Sequence, residues 1–473
     1  MRVVVIGAGP AGVMAALRAA ELGADTTLVT RGEFGGMAAN DGPVPVRTLA
    51  HAARLIRGAR QLGRYGIEAG MPRLDYGKLL ARVREVAGEV RDHSGLRAQA
   101  EKLGVKIHDR VGPVRFVAPH AVQAEGGTRF EADRFIVCTG GMSRRLTVPG
   151  AELVATHSDA WELKSVPESM LVIGGGMTGL QVASIFHAFG CHMTVFQRGP
   201  RILPDEDEDI AVEVARQLRA SGMVIHEGFG SIERFERAGA GTRMTFAKDG
   251  RRETAEAALA LAAIGWAADT AGLCLDAAGV ALDEHGFVKV DAHLATSVPH
   301  IFAAGDVTGR SVLVPPAVLD AHAAATNAVH GAGTRPSEQP IPMGGFTEPE
   351  YAHVGLTESE ARRRHDIVVS RVEFRELVRH VIDGREDGFC KLIAERATGR
   401  ILGCHVVGER AVEIVQAFAI AMAGGVTVGA LARRSLAFPT YLGAVTRAAY
   451  RAAVQVDAAL AAESAAGMLA EGV

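Results

Sequence analysis

A glycine-rich segment near the N-terminus recurs in the middle of the chain, and this repeat limits the possible folds more than any other feature. Four apolar residues precede a GxGxxG pattern at Val3–Gly12 and again at Met170–Gly179, and an alanine-rich helical pattern follows each copy. In such a motif one glycine turns the chain, another admits a pyrophosphate to the backbone, and the helix N-terminus stabilises its charge. Two dinucleotide-binding units are therefore predicted. The motif glycines are Gly7, Gly9, Gly12, Gly174, Gly176 and Gly179.

Length and composition exclude several classes of protein. The 473 residues suffice for about three domains at roughly 100–200 residues each. A net charge of -3, from 51 Lys and Arg against 54 Asp and Glu, argues against a disordered chain and against nucleic-acid binding. The five cysteines show no CxxC spacing and the 17 histidines no paired ligand spacing, so neither a disulfide framework nor a metal site is predicted.

The N-terminal apolar run is too short for a signal peptide, and no uncharged apolar stretch reaches the roughly 18 residues of a membrane span. A soluble, cytoplasmic protein without a membrane span is expected.

Further landmarks follow along the chain. Residues 76–104 are predicted as one long helix, and the acidic run Asp205–Asp209 as the start of another, where anions complement the helix dipole. His300–Asp306 is predicted as a buried strand ending in Gly-Asp, and an acid at such a strand end commonly points at a ligand hydroxyl. After a boundary at residues 332–345, strands and then helices indicate an α+β domain.

In this order, the landmarks resemble the pyridine nucleotide disulfide oxidoreductases, the family of lipoamide dehydrogenase, glutathione reductase and mercuric reductase. The resemblance implies an α/β fold with two Rossmann-like domains, one for FAD and one for NAD(P), and a C-terminal α+β domain that forms a homodimer. The implied limits are 1–150 and 276–335 for the FAD domain, 151–275 for the NAD(P) domain and 343–473 for the dimerisation domain. The matching motifs are both fingerprints, Gly35-Gly36 with Asn40, Thr139-Gly140, Gly305-Asp306, Phe346–Pro349 and Phe438–Thr440.

The resemblance also assigns cofactor contacts. FAD is expected along Gly7–Gly12, with the Asp306 carboxylate accepting a hydrogen bond from a ribityl hydroxyl, and NAD(P)H along Gly174–Gly179. The other residues expected at the cofactors are Gly36, Thr139, Gly140 and Gly265.

The second strand of each nucleotide unit ends without the acid that would bind a ribose diol. In the first unit the position holds Thr30, for which Glu33 is a candidate replacement. In the second it holds neutral Gln197, followed by Arg198 and Arg201, either of which can meet a 2′-phosphate. NADPH is therefore favoured over NADH, with the alternative that Arg201 pairs with neighbouring acids.

The departures from the family concern its dithiol. Relatives carry GGTCxNxGCxP beside the flavin, whereas this chain has Ala38 and Pro43 at the cysteine positions. The family's His-Pro-Thr, which serves the thiols from the partner subunit, begins here with Phe438, and the Glu position falls at Gly443. Reduction of disulfides or mercuric ion by the family mechanism is not expected, because nucleophile and base are both lost. Cys390 and Cys404, across a predicted hairpin, are interpreted as buried hydrophobes.

A flavin can still accept hydride and pass electrons on. Ala38, Pro43 and a partner's Phe438 would line an apolar pocket suited to a quinone, unless Phe438 only fills vacated space. Arg47 and Gln181 match a family Lys–Glu pair near the flavin N5. The cation is kept and the anion lost, which would raise the flavin potential unless Arg47 packs on a helix surface.

The leading prediction is an FAD-dependent NAD(P)H dehydrogenase that acts on a quinone-like or other small acceptor. The alternatives are a nicotinamide nucleotide transhydrogenase, and an electron-transfer or redox-sensing flavoprotein that serves a partner protein.

Overall fold

A computed structural model describes residues 1–457 and divides the chain into two compact units. The first unit contains Met1–Leu146, Thr156–Ser165 and Ile264–Glu338, and the second contains Thr147–Ala155, Val166–Ala263 and the chain from Gln339 onward. Residues 458–473, the end of the predicted dimerisation domain, lie outside the described residues. The finer domain limits given above stay predictions.

The first unit is built on a parallel sheet with five strands among the described residues. The central strand Arg2–Ile6 is buried from Val3 onward, because helices cover one face of the sheet and an antiparallel β layer covers the other. Helices Pro10–Glu21 and Val314–His330 pack together on one face through small residues, mostly alanines. In spatial order the strands are Ile301–Ala303, Arg134–Val137, Arg2–Ile6, Asp25–Val29 and Lys106–His108.

Smaller elements of the first unit surround this sheet. The predicted helix over residues 76–104 is wrong as a single element, because Gly95 adopts φ 67° and separates two helices. The helices are Gly36–Asn40, Pro43–Ala59, Tyr76–His93, Leu96–Lys102 and His157–Trp161. The remaining strands are Val114–Ala118, Ala121–Ala124 and Arg129–Glu131, which form an antiparallel layer, and Gly141–Ser143, which pairs with Trp266–Ala268.

The second unit contains the sheet that carries the second glycine-rich turn. Its described strands are all parallel. Helix Met177–Ala188 follows strand Ser169–Ile173, and helix Glu208–Ala220 follows strand His192–Gln197. In spatial order the strands are Val224–Glu227, His192–Gln197, Ser169–Ile173, Leu259–Ala262 and Val154–Ala155. An antiparallel layer adds Ser231–Ala238, Gly241–Lys248 and Arg251–Ala257.

The C-terminal part of the second unit is an antiparallel sheet with helices packed on it, which confirms the predicted α+β domain. Strands Gly388–Glu395 and Ile401–Gly408 are almost wholly buried at its centre. In spatial order the strands are Met343–Gly345, Tyr351–Gly355, Ile401–Gly408, Gly388–Glu395 and Ile367–Glu373. The helices are Glu358–Arg364, Val378–Ile382, Ala411–Ala423, Val428–Ala432 and Gly443–Val456. Among the described residues, no helix has the length and apolar character needed to cross a membrane.

A buried ion cluster forms where the acidic run meets this C-terminal sheet. The Lys391 Nζ lies 2.8 Å from Asp207 Oδ1, 2.8 Å from Asp209 Oδ2 and 2.5 Å from Glu358 Oε2. Burial opposes each charge, but the three carboxylates raise the pKa of Lys391, and the ammonium with the Glu358 N–H lowers the pKa of Asp207. The acidic run therefore holds the second unit together in addition to starting a helix.

We expect Lys391→Met to lower the free energy of unfolding by about 3–5 kcal/mol at pH 7, because Asp207 would keep a buried charge without its cation. A carboxylate with a lowered pKa stabilises the fold above its unfolded pKa of about 4, and this stabilisation is lost as the pH falls through the folded pKa. The difference between variant and wild type should therefore shrink below about pH 4. Urea unfolding at several pH values measures it.

Lys289→Met, at an exposed position, serves as the control and should unfold like the wild type. Equal midpoints for Lys391→Met and wild type at pH 7 would contradict a stabilising cluster.

Candidate functional site

The first glycine-rich turn joins strand Arg2–Ile6 to helix Pro10–Glu21. A Cβ atom on Gly12 would lie 1.7 Å from the Gly7 carbonyl oxygen, so a side chain there would separate the helix from the strand end. A Cβ on Gly36 would lie 2.6 Å from the Gly9 Cα. The backbone of the 35–36 turn therefore rests directly on the fingerprint, which brings two of the predicted FAD segments together.

Side chains outside the predicted site hold the 35–36 turn in place. The Asn40 amide donates to the carbonyls of Phe34 at 3.3 Å and Gly36 at 2.9 Å. Arg91, from helix Tyr76–His93, donates to Asn40 Oδ1 and to Glu33 Oε2. Arg91 was missed by sequence reasoning, because one arginine on an exposed helical pattern carries no signal of what it will touch.

Glu33, the candidate for the FAD ribose, is engaged by two cations. Besides Arg91 it accepts from Arg110 at 2.8 Å, so each of its carboxylate oxygens already binds a guanidinium. Thr30 is buried at the end of strand Asp25–Val29, and its N–H donates to the carbonyl of His108. The ribose contact of either residue stays a prediction.

The two positions at which the family pattern predicts cysteines lie on two consecutive helices. Ala38 is half-buried in Gly36–Asn40, and Pro43 is exposed at the first position of Pro43–Ala59. Arg47 follows Pro43 by one helical turn, so both project from the same side of the helix, and Arg47 is half-buried. Whether its charge acts on the flavin stays a prediction.

The Thr139-Gly140 turn and Asp306 place a hydroxyl and a carboxylate near the first fingerprint. The Thr139 hydroxyl is buried and has no hydrogen-bond partner among the described residues. Burial raises the pKa of Asp306 to about 6, and a Cβ on Gly141 would lie 3.4 Å from the Asp306 Cβ. Buried polar atoms without partners are uncommon in folded proteins. A carboxylate can accept hydrogen bonds from the ribityl hydroxyls of FAD, and a hydroxyl beside a glycine turn can donate to its pyrophosphate. The residues present therefore fit FAD.

The second glycine-rich turn repeats the first. A Cβ on Gly179 would lie 1.9 Å from the Gly174 carbonyl oxygen, whereas one on Gly176 would meet open space, as a turn that admits a phosphate requires. Gln197 Oε1 accepts from the Gly175 N–H at 2.9 Å. The neutral side chain at the strand end is thus folded back on the turn.

The two arginines after Gln197 differ in their surroundings. The Arg201 guanidinium donates to the carbonyls of Leu203 at 2.6 Å, Pro204 at 2.9 Å and Glu206 at 2.9 Å. Arg201 therefore contacts main-chain carbonyls just before and within the acidic run, and none of these three acceptors is a carboxylate of that run. Arg198 is exposed and forms no hydrogen bond or ion pair with the rest of residues 1–457. Contact of Arg198 with a 2′-phosphate stays a prediction.

The other predicted residues are placed as follows. Gln181 lies in helix Met177–Ala188 and donates to the Met177 carbonyl at 3.3 Å. Gly265 has φ 103° between two strands. Phe438 is 57% exposed in the single chain. The described part of the chain contains no group of three or more His, Cys, Asp or Glu side chains arranged for a metal ion.

Replacing Asp306 by Ala should weaken FAD binding about 10- to 100-fold, since a hydrogen bond to a charged group contributes about 1.5–3 kcal/mol. The FAD-to-protein ratio after gel filtration, together with titration of the apoprotein with FAD, measures the change. Asp276→Ala, at an exposed position of the same unit, is the matched control. Unchanged FAD affinity in Asp306→Ala would remove Asp306 from the binding site.

Comparison with known proteins agrees with this geometry along nearly the whole chain. Residues 1–328 match the family model described as pyridine nucleotide-disulphide oxidoreductase, and residues 341–449 match its dimerisation domain. A dihydrolipoyl dehydrogenase from Chlorobaculum tepidum is 32% identical over 461 residues, covering 95% of this chain and 96% of the relative. A mercuric reductase from Bacillus cereus is 30% identical, covering 90% of this chain and 68% of the relative.

Among solved structures, LpdA from Mycobacterium tuberculosis superposes with a TM-score of 0.85 at 28% identity, covering 95% of this chain and 99% of LpdA. The two glycine-rich fingerprints and the 35–36 turn thus lie within the part of the chain that matches the first family model, and the dimerisation domain follows in the same chain. The chain belongs to the pyridine nucleotide-disulphide oxidoreductase family.

Proposed function

We propose that this flavoprotein oxidoreductase passes electrons from NAD(P)H through FAD directly to a quinone-like or other small acceptor, without a thiol relay. One observation carries the proposal: residues 35–45, the segment whose turn packs on the fingerprint, contain no cysteine, whereas the family pattern predicts cysteines at positions 38 and 43. The frame for the cofactors is retained although the sulfur chemistry is lost.

The cysteines elsewhere in the chain do not offer a substitute. In the first unit Cys138 is buried in the core, where burial raises its pKa to about 12, and Cys274 is a single exposed thiol. In the second unit Cys191 is buried, which raises its pKa to about 12. Reactive cysteines need an accessible thiolate, which argues against Cys138 and Cys191, and Cys274 is a single thiol and not a dithiol.

Cys390 and Cys404 form the closest pair of thiols that the structure describes. Their sulfur atoms are 3.9 Å apart, both side chains are fully buried, and burial together with Cys390 raises the pKa of Cys404. They belong to the core of the C-terminal sheet. This supports their interpretation as buried hydrophobes and argues against a catalytic dithiol.

Apolar residues at the vacated positions favour an apolar acceptor. Ala38 and Pro43 offer no hydrogen bond from their side chains, and Phe438 carries a large aromatic ring that is exposed in the single chain. We propose that Phe438 of a second subunit covers the pocket beside Ala38 and Pro43, where its ring would stack on a flat acceptor. The dimerisation domain supports the required homodimer.

Each part of the site has a defined task in this proposal. FAD, when bound, supplies the two-electron chemistry. The Thr139 hydroxyl and the Asp306 carboxylate hold FAD, while the glycine turns and helix N-termini stabilise the negative charge of the pyrophosphates. Arg198 selects NADPH by pairing with its 2′-phosphate.

The test is anaerobic mixing of the holoenzyme with NADPH or NADH, followed by reoxidation with a panel of quinones and, separately, with lipoamide or glutathione disulfide. The flavin should bleach with the nucleotide, and quinones should reoxidise it at least 100-fold faster than the disulfides. Alkylation of the reduced enzyme with iodoacetamide should leave the quinone rate unchanged. Phe438→Ala should raise the KM for quinone about 3- to 10-fold, as loss of an aromatic contact of about 0.5–1.5 kcal/mol predicts.

Leu436→Ala, in the same exposed segment, is the matched control, and gel filtration checks that both variants remain dimers. Rapid reoxidation by lipoamide, or inactivation by iodoacetamide, would contradict the proposal. Exchange between NADH and a NADP⁺ analogue that outpaces quinone reduction would identify a transhydrogenase instead. Slow turnover with every small acceptor would point to a protein partner.

The cofactor preference has its own test. Arg198→Ala should raise the KM for NADPH about 10- to 100-fold and change the KM for NADH less than twofold, because only NADPH carries the phosphate that a charge-assisted hydrogen bond would hold. Steady-state kinetics with both nucleotides measures this. Arg251→Ala, at an exposed position of the second unit, is the control. Equal changes for both nucleotides would assign Arg198 no role in selection.

A further inference from the structure

A chain of hydrogen-bonding side chains leads from the segment between the vacated cysteine positions into the first unit. Asp41 Oδ2 accepts from Ser158 Oγ at 2.5 Å, and Ser158 Oγ lies 3.5 Å from His157 Nε2. The other ring nitrogen of His157, Nδ1, lies 2.7 Å from Ser143 Oγ. Four side chains from three separate segments thus form one continuous path, Asp41–Ser158–His157–Ser143.

The two ends of the path differ from its middle. The Asp41 carboxylate is 33% exposed, whereas the His157 side chain is only 4% exposed. Ser143 is half-buried and is followed by the exposed Arg144. A proton can therefore enter at either end, while the imidazole is shielded from bulk water.

The path is attached to the predicted FAD site on both sides. Asp41 directly follows helix Gly36–Asn40, whose first residue rests on Gly9 of the fingerprint. Ser143 ends the strand that begins at Gly141, beside Asp306. Asp41 also lies between positions 38 and 43, where the proposed acceptor pocket is.

The proposed reaction needs a proton that the nucleotide does not carry. NAD(P)H delivers two electrons and one proton as hydride, but reduction of a quinone to its hydroquinone consumes two electrons and two protons. The balanced reaction is NAD(P)H + H⁺ + quinone → NAD(P)⁺ + hydroquinone. The second proton must come from water, and Ala38, Pro43 and Phe438 cannot donate it.

We propose a relay, which rests on the proposed function, that carries this solvent proton to the acceptor. Its members are Ser143, His157, Ser158 and Asp41, and Asp41 is the donor in the pocket. Serine hydroxyls both donate and accept, and the two nitrogens of a neutral imidazole exchange roles between tautomers. Each group can therefore take a proton from one neighbour and give one to the next.

The surroundings of His157 keep it suited to this role. Burial lowers its pKa, although the carboxylates of Asp41 and Asp159 act in the opposite direction. The rings of Trp161 and Trp266 contact the imidazole edge-on, with centroids 6.5 Å and 5.1 Å away. At neutral pH the imidazole is neutral, as the exchange between tautomers requires.

The test compares acceptors that do and do not need protons. Ferricyanide takes one electron and no proton, so the ratio of the quinone rate to the ferricyanide rate isolates the proton step. Asp41→Asn, which keeps an oxygen for Ser158, should lower this ratio at least tenfold, within the range for loss of a general acid. Ser158→Ala, which interrupts the path, should also lower it and should change the solvent deuterium isotope effect on quinone reduction. Asp276→Asn, exposed in the same unit, is the control and should keep the wild-type ratio.

A second measurement does not depend on turnover. Trp161 and Trp266 are the two tryptophans of the chain, and a protonated imidazole quenches indole fluorescence on contact. As the pH is lowered, His157 should become charged and the tryptophan emission of the holoenzyme should decrease. The midpoint of this transition should lie below the ordinary histidine pKa of about 6.5. In Asp41→Asn this transition should move to lower pH, because a carboxylate that stabilises the charge is removed.

The outcomes separate this inference from the function beneath it. If the wild type does not reduce quinones, the proposed function fails and the relay fails with it. If the wild type reduces quinones and Asp41→Asn keeps the wild-type ratio within twofold, the function stands and the relay is overturned. An identical fluorescence transition in Asp41→Asn and wild type would show that Asp41 and His157 are not coupled, and would also overturn it.

Discussion

The close approach of two stretches of backbone at each glycine-rich turn is the contact on which the rest of the structure depends. At Gly12 and at Gly179 the helix passes so near the carbonyl of the first motif glycine that a single Cβ atom would overlap it. This contact places each helix N-terminus at the carboxyl end of a central strand. The parallel sheets, the cofactor sites and the loops around them are arranged about that point.

The segment around the 35–36 turn keeps its shape through contacts that need no thiol. The 35–36 turn rests on Gly9 through main-chain atoms, and Asn40 and Arg91 hold it through hydrogen bonds. No sulfur atom takes part in these contacts. The supports of the segment therefore do not depend on a thiol at position 38 or 43, which is consistent with the acceptor that we propose.

Charge has different uses in the two units. In the first unit Asp306 keeps a raised pKa because no cation within residues 1–457 compensates its burial, a state that is common among groups at functional sites. In the second unit Lys391 is surrounded by three carboxylates that satisfy it completely, which is the condition of a structural cluster. The sequence pattern singles out Asp306 at a strand end, whereas the partners of Lys391 become visible only in the structure. Arg198 and Arg201 differ in the same way, since the Arg201 guanidinium donates hydrogen bonds to main-chain carbonyls and the Arg198 guanidinium donates none within the part of the chain that the structure describes.

The sequence by itself determined the features that depend on local spacing. The repeated GxGxxG after an apolar run indicated both turns, Gly305-Asp306 indicated the acid at a strand end, and the C-terminal strands and helices followed from their patterns. The sequence also shows that positions 38 and 43 carry no thiol. The resemblance implies that the family has cysteines at these positions. Tertiary structure alone decided which distant side chains meet: Arg91 with Glu33 and Asn40, Lys391 with the acidic run, and His157 with Asp41 and Ser143. The physical reason is that these contacts join residues far apart in the chain, and their geometry depends on how whole elements pack and not on any periodicity within one element.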